Sequence, residues 1–296
     1  MFKSGYIQIV GETNAGKSTI FNRILGEKVS IVSPKVQTTR KNIRGIYTDE
    51  KMQAIFIDTP GIHKVESKLS RVMIDSSLET LSDVDIVIYA IAANKKKLSV
   101  FDENIIEKIT KSKKPIICII TKTDRVKKEI IEEKIIMLEN LGFENIIATS
   151  SYTNTGIDEL KETIYELLPE GPKYYNEEEY TDQTTREMCE EIIRSKALKF
   201  LNEEIPHGIY IEIKNFKEGK TKNGEDIVNI EAVIYTRKES HKGIIIGKNG
   251  KMLKKIGSTA RQDLEEFLGC KVNLQTWVKT RKSWTNTDNI ISRFKS

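Results

Sequence analysis

Cysteine, histidine and proline are scarce in this chain: three, three and six in 296 residues. Cys118, Cys189 and Cys270 are odd in number and far apart, which excludes a disulfide framework and a Cys-x-x-Cys metal site. Such sparse thiols suit a reducing cytoplasm. His63, His207 and His241 are just as scattered, so a histidine-built metal site is not expected. No apolar run approaches the roughly 18 residues needed to cross a bilayer. The strand-like stretch 6–10 begins so early that no room for a signal peptide is expected before it. Internal repeats and low-complexity tracts are also lacking. The remaining composition, 38% hydrophobic and 31% charged, is that of a soluble globular protein long enough for two domains.

Positive charge is unevenly placed. The net charge of +5 divides into −1 over residues 1–180 and +6 over residues 181–296. A polyanion or an anionic membrane surface is the natural partner for the second part, and a merely solvated basic face is the alternative.

The first 170 residues alternate short apolar runs with helix-length segments. Strands are predicted at 6–10, 53–57, 85–91, 115–121 and 145–149, several of them near-continuous apolar runs like those of covered parallel sheets. Helices are predicted at 67–81, 102–111, 127–141 and 157–168. This rhythm predicts a doubly wound α/β domain with a mostly parallel sheet over residues 1–169. Two prolines, a glycine and three consecutive glutamates break the pattern over 169–182, and 170–182 reads as a linker. A helix follows, with Cys189, Ile192, Ile193, Ala197, Phe200 and Leu201 on one face. Two strand-like runs, 208–216 and 226–236, flank a hairpin-like 217–225. Then come a glycine loop at 247–250, a helix to about Leu268 and a last strand at 271–278. Residues 183–296 are thus expected to form a smaller α+β domain, ordered α-β-β-α-α-β, with a C-terminal tail.

GETNAGKS (11–18) fits the phosphate-loop pattern G-x-x-x-x-G-K-[ST], between a predicted strand and a helix from about Ser18 closed by Gly26. Glycines there let backbone N–H groups wrap phosphates at a helix N-terminus. The candidate contacts are Gly11, Asn14, Ala15, Gly16, Lys17, Ser18 and Thr19. Lys17 would bridge the β- and γ-phosphates, and the Ser18 hydroxyl would bind Mg²⁺. FIDTPG (56–61) places Asp58 at a strand end, within reach of the metal shell, and Gly61 where its N–H can meet a γ-phosphate. Between them, the polar loop 36–45 offers a threonine that senses that phosphate: Thr39, with Thr38 as the alternative. TKTD (121–124) selects the base. Asp124 can accept from guanine N1–H and N2–H₂, whereas adenine would leave it unpaired. Lys122 would lie over the base, and Thr121 would tether this loop to the phosphate loop. The 149–156 loop adds Ser150, Ser151 and Tyr152, with the Ser151 N–H aimed at guanine O6. GTP and GDP with Mg²⁺ are therefore the expected ligands.

A second glycine loop, Gly247-Lys248-Asn249-Gly250, lacks the hydroxyl that a nucleotide loop needs, because Lys251 and Met252 follow it. With 17 glycines in the chain, about one G-x-x-G is expected by chance, so context decides. Between two helices of an α-β-β-α-α-β module, such a loop is what a KH domain uses to hold single-stranded RNA or DNA. Residues 237–255 carry seven Lys/Arg against one Glu. Lys242, Gly243, Ile246, Gly247, Lys248, Asn249, Gly250, Lys251 and Lys254 are the candidate RNA contacts. Ile244, Ile245 and Ile246 serve core and groove together, and Trp277 is expected to pack at a strand end.

The order of the first set of motifs resembles the translation-factor-type GTPases, with Thr121 where that class has asparagine. Ile62 stands where signalling GTPases hold a water-orienting glutamine, so hydrolysis is expected to be slow. Asn14 stands where related GTPases hold a potassium ion, which makes K⁺ a candidate cofactor. Taken with VQTTR, DTPGIHK, EGPKYY, KGIIIGKNGKMLKKIG and QTWVK, nearly the whole chain resembles the Era-like family of ribosome-assembly GTPases. Thr13 and Ser151 depart from its common proline and alanine. The resemblance implies a P-loop GTPase domain joined to a type II KH domain that binds 16S rRNA near its 3′ end. It further implies a role in 30S ribosomal subunit assembly and rRNA maturation, by a cytoplasmic protein in peripheral contact with the inner face of the cell membrane. A monomer is expected. The alternative is a GTP-dependent RNA-binding assembly module with negligible intrinsic turnover.

Overall fold

Period-two alternation decides the architecture of the first part. In strand β4 (Ile86–Ala92), Ile86, Ile88 and Ala90 belong to one apolar cluster and Val87, Tyr89 and Ile91 to another, all of them buried. A strand buried on both sides needs a layer on each. In the computed structural model, which describes residues 1–32, 39, 42–60, 80–202, 205–282 and 284, helices supply those layers. Helices α1 (Lys17–Leu25) and α4 (Ile157–Leu167) cover one face, and α2 (Val100–Lys111) and α3 (Lys128–Glu139) the other. The sheet is ordered β2 (Ile43–Thr48), β3 (Met52–Asp58), β1 (Lys3–Val10), β4, β5 (Ile116–Thr121), β6 (Asn145–Ala148). All neighbours are parallel except β2 and β3. Strand order turns back at β1, so the carboxyl ends of β1, β3 and β5 border the crevice where such sheets take ligands.

In this first unit two features differ from expectation. Residues 43–45, read as the end of a polar loop, open strand β2. Only Ile43, Gly45 and Ile46 are buried in it, too few for a periodic signal. Its free edge is met by residues distant in sequence: Ile46 N–H donates to Tyr180 O (3.0 Å), and Thr181 Oγ1 to Arg44 O (2.7 Å). The segment 170–182 therefore lies along the first unit, which spans Met1–Asp182. Gln53 holds it midway, accepting from Tyr174 N–H (2.6 Å) and Tyr175 N–H (3.0 Å) and donating to Tyr175 O (2.9 Å). The helix expected at 67–81 lies, but for its last two residues, outside the described residues.

The second unit spans Gln183–Ile291. Helix α5 (Thr185–Phe200) starts with a capping box between Thr184 and Glu187 and buries Cys189, Ile193 and Ala197, the apolar face read from the sequence. Strands β7 (Ile209–Lys220) and β8 (Asp226–Thr236) form an antiparallel hairpin, and β9 (Lys271–Thr280) joins β8 in parallel. Helices α6 (Glu239–Ile246) and α7 (Lys251–Leu268) complete the α-β-β-α-α-β order, with Ile245, Ile256, Ala260 and Leu264 buried against the sheet. Trp277 does not pack at the strand end as expected. It lies opposite Val233 in the register and is 43% exposed, because Val272 and Val278 take the core-facing positions. The tryptophan that packs is Trp284, fully buried against Tyr210, with its Nε1–H on Gly208 O (3.0 Å).

Candidate nucleotide site and nucleic-acid interface

The loop between β1 and α1 has the backbone that phosphate binding requires. Gly11 has φ +151°, and a Cβ there would lie 2.5 Å from Ala90 O, so only glycine fits between loop and sheet. Asn14 takes φ +62°, and Gly16 caps α1 in the left-handed region without any side-chain cap or acidic residue in the first turn. The first amides of α1 are thus free for an anion. Lys17 is only 5% exposed, and its ammonium donates to Gly11 O (3.1 Å) and Glu12 O (2.9 Å). Burial lowers its pKa to about 8, against the pull of the Asp58 and Glu12 carboxylates.

Beside Lys17, the Ser18 hydroxyl lies 3.0 Å from Thr39 Oγ1, and Thr39 Oγ1 lies 3.4 Å from Asp58 Oδ2. Asp58 is fully buried. Burial raises its pKa, while Lys17 and the Ser18, Ser30 and Thr39 hydroxyls oppose that. Its Oδ1 has no hydrogen-bond partner among the described residues. An orphaned, buried carboxylate oxygen next to two hydroxyls is a hard-oxygen set suited to Mg²⁺, which binds through few protein ligands plus substrate phosphates. Ser30 belongs to this site and was missed by the sequence reading: its Oγ donates to Asp58 Oδ2 (2.8 Å), and Asn22 holds its backbone at N and O. A serine in VSIVS carries no periodic or motif signal. Thr38, Gly61 and Ile62 lie outside the described residues.

The TKTD loop after β5 and the 149–156 loop after β6 converge. Thr121 Oγ1 donates to Ala15 O at 2.6 Å, joining this loop to the phosphate loop, and Lys122 Nζ donates to Asn14 O. Asp124 is oriented by Ser150, whose Oγ donates to Asp124 Oδ1 at 2.7 Å. A backbone bridge between Ser150 and Thr155 closes the 150–155 turn, within which Ser151 is half-buried. Tyr152 points outward at 88% exposure and is not gathered with the others. Thr19, also expected at the phosphates, is partly buried in the first turn of α1. Thr121→Val removes the tether at constant volume and deprives the buried Ala15 carbonyl of its donor, a loss of about 1–3 kcal/mol. Guanine-nucleotide affinity should fall about tenfold. A titration with fluorescent GDP checks this, and unchanged affinity would dismiss the tether.

In the second unit the glycine loop carries Gly247 at φ +72°, where a Cβ would sit 2.7 Å from the Met252 Cβ. Asn249 is left-handed at φ +52° and Gly250 at φ +72°. Helix α7 then starts with no side-chain cap and no acidic residue in its first turn. Lys248, Asn249, Lys251 and Lys254 are exposed. Of the other expected contacts, Gly243 is exposed on α6, and Lys242 pairs with Glu239 at 3.0 Å. Ile246 is partly buried against the core rather than open. The three isoleucines divide their work: Ile245 is core and Ile244 is 53% exposed.

A glycine loop with a buried lysine at a helix start, a buried carboxylate beside two hydroxyls and an aspartate just past the end of β5 are arranged as in a P-loop GTPase domain, here followed by a KH domain. Family models agree, matching 50S ribosome-binding GTPase at residues 6–122 and KH domain at residues 204–285. The chain is 50% identical to GTPase Era of Thermoanaerobacter sp. (strain X514), over 98% of this chain and 95% of that one. Its structure is similar to that of Era in complex with MgGDPNP and nucleotides 1506–1542 of 16S ribosomal RNA, with a TM-score of 0.93, 35% identity and 99% of each chain covered. It is likewise similar to a point variant of Aquifex aeolicus Era bound to GDP and AlF4⁻, with a TM-score of 0.92, 35% identity and 99% of each chain covered. The chain belongs to the GTPase Era family and is a GTP-hydrolysing enzyme.

Proposed function

We propose that this GTPase is a molecular switch that binds 16S rRNA near its 3′ end and assists 30S assembly and rRNA maturation. The observation that carries the reading is the exposed Gly247–Gly250 loop opening α7. Lys248 in the loop, Lys251 and Lys254 just after it and the free helix amides suit a phosphate backbone. One solved relative covering 99% of this chain holds nucleotides 1506–1542 of that RNA. At the other site, Lys17 and the α1 amides would hold the phosphates, and Ser18, Thr39 and Asp58 would hold Mg²⁺. The ion, when bound, neutralises charge on the transferring phosphoryl group. Gly61 and one of Thr38 and Thr39 would sense the γ-phosphate, so that hydrolysis releases the segments around them.

Single-turnover GTP hydrolysis, measured with and without an oligonucleotide of the 16S 3′ end, tests the switch. RNA-dependent turnover is expected. Slow turnover that RNA leaves unchanged would reduce the chain to a GTP-dependent RNA-binding module. The absent glutamine at Ile62 and the exposed Asn14 further suggest K⁺ as an activating ion. Hydrolysis should drop when Na⁺ replaces K⁺, and equal rates in the two salts would remove potassium from the scheme. The basic excess of residues 181–296 is compatible with a monomer working in the cytoplasm and touching the inner face of the cell membrane peripherally. Among the described residues no helix is long and apolar enough to cross it.

A further inference from the structure

The second residue of the phosphate loop, Glu12, fills an unspecified position of its motif, yet both its ends are used. Its carbonyl accepts from Lys17 Nζ (2.9 Å) and from Ala15 N–H (3.3 Å), closing the loop. Its carboxylate accepts from Lys95 Nζ and Ser99 Oγ, beyond the end of β4. Lys95 also pairs with Asp102, whose side chain is 1% exposed. Asp102 in turn accepts from Tyr89 Oη (2.9 Å) and Ser99 N–H (2.8 Å), so it is anchored in both β4 and α2. Lys134 of α3 donates to the Lys95 carbonyl. Burial by itself would lower the Lys95 pKa, but its bonds to Asp102 and Glu12 outweigh it and hold it above the ordinary value. Behind the loop, a cavity of about 40 Å³ separates Thr13 and Asn14 from Ala90 and Ile91. Gly11 and Ala15 pack closely on the sheet at the two ends of the loop, but over Thr13 and Asn14 the gap leaves polar contacts to steady it.

We propose that Lys95 is a positioning residue for the phosphate loop, holding Glu12, and through it the Lys17 ammonium, in the stance that receives the nucleotide phosphates. The proposal rests on the guanine-nucleotide reading of this site. The Lys95 ammonium is taken up by Glu12, Ser99 and Asp102 and so acts on the site through the loop. Its loss should therefore weaken binding more than it slows the chemical step.

GDP release and steady-state hydrolysis of the full chain test this in Lys95→Met, Glu12→Gln, the double variant and Lys95→Arg. Lys95→Met should release GDP about tenfold faster and raise the GTP KM by a similar factor, with kcat changed less than about twofold. Glu12→Gln should do nearly the same, the double variant should be no worse than either, and Lys95→Arg should restore slow release. Effects of the two single changes that multiply would overturn the proposal. So would unchanged release alongside a lowered Tm, since Lys95 would then only brace α2. Lys95→Met leaves Asp102 without its cation. Should that variant not fold, Glu12→Gln decides, because its side chain is 23% exposed and the isosteric amide fits. A wild-type chain that bound no guanine nucleotide would contradict the reading of the site instead, a separate result.

Discussion

Asp124→Asn should weaken GTP binding by about 10²–10⁴-fold and bring xanthosine triphosphate in as the preferred ligand. Guanine offers N1–H and N2–H₂ to the carboxylate, two charge-assisted bonds worth about 1.5–3 kcal/mol each. Asparagine keeps one acceptor for N1–H and puts a donor where xanthine carries a carbonyl oxygen. The structure favours a clean exchange. Ser150 Oγ donates to Asp124 Oδ1 at 2.7 Å, and an asparagine oxygen accepts that bond equally well. Thr121 and Lys122 remain bonded to Ala15 and Asn14, so the loop does not depend on the carboxylate for its position. Competition binding with GTP, XTP and ATP gives the answer. A variant that still prefers GTP would place base recognition elsewhere.

Changing Lys248 and Asn249 together to aspartate should lower affinity for a 16S 3′-end oligonucleotide by about a hundredfold or more and leave GTP binding intact. Both residues are exposed, and the exchange turns a cationic tip into a dianionic one facing phosphates. Folding should survive it. Asn249 sits at φ +52°, a conformation that aspartate tolerates nearly as well as asparagine, and the demanding contact belongs to Gly247. The salt dependence of the remaining binding should also flatten, by about one unit of slope for the lost lysine–phosphate contact. Near-native RNA affinity in the variant, measured at a stated salt concentration, would refute the role of this loop.

How much of this was legible beforehand depends on the range of the interaction concerned. The phosphate loop, TKTD and the α5 face could be read because their residues are neighbours in sequence and their spacing carries the chemistry. Ser30, Glu12 and Lys95 could not. Each acts on a partner brought close by the sheet: Ser30 on Asp58, and Lys95 on a loop residue 83 positions earlier. The same holds for 170–182, whose proline, glycine and glutamates read as linker but whose backbone finds the open edge of β2. An edge strand has half its hydrogen bonds to offer, and nothing local announces which distant segment will take them.

The sequence by itself determined two domain types, most of their strands and helices though not β2, a guanine-nucleotide chemistry and a basic glycine loop, because local periodicity and motif spacing dictate those. Tertiary structure alone decided which tryptophan is buried, Trp284 rather than Trp277, and which hydroxyl steadies Asp58. It also brought the Lys95 ammonium to Glu12 of the phosphate loop. Those choices follow from strand register and close approach, where a shift of one residue turns a side chain from core to solvent and only the assembled sheet sets the register.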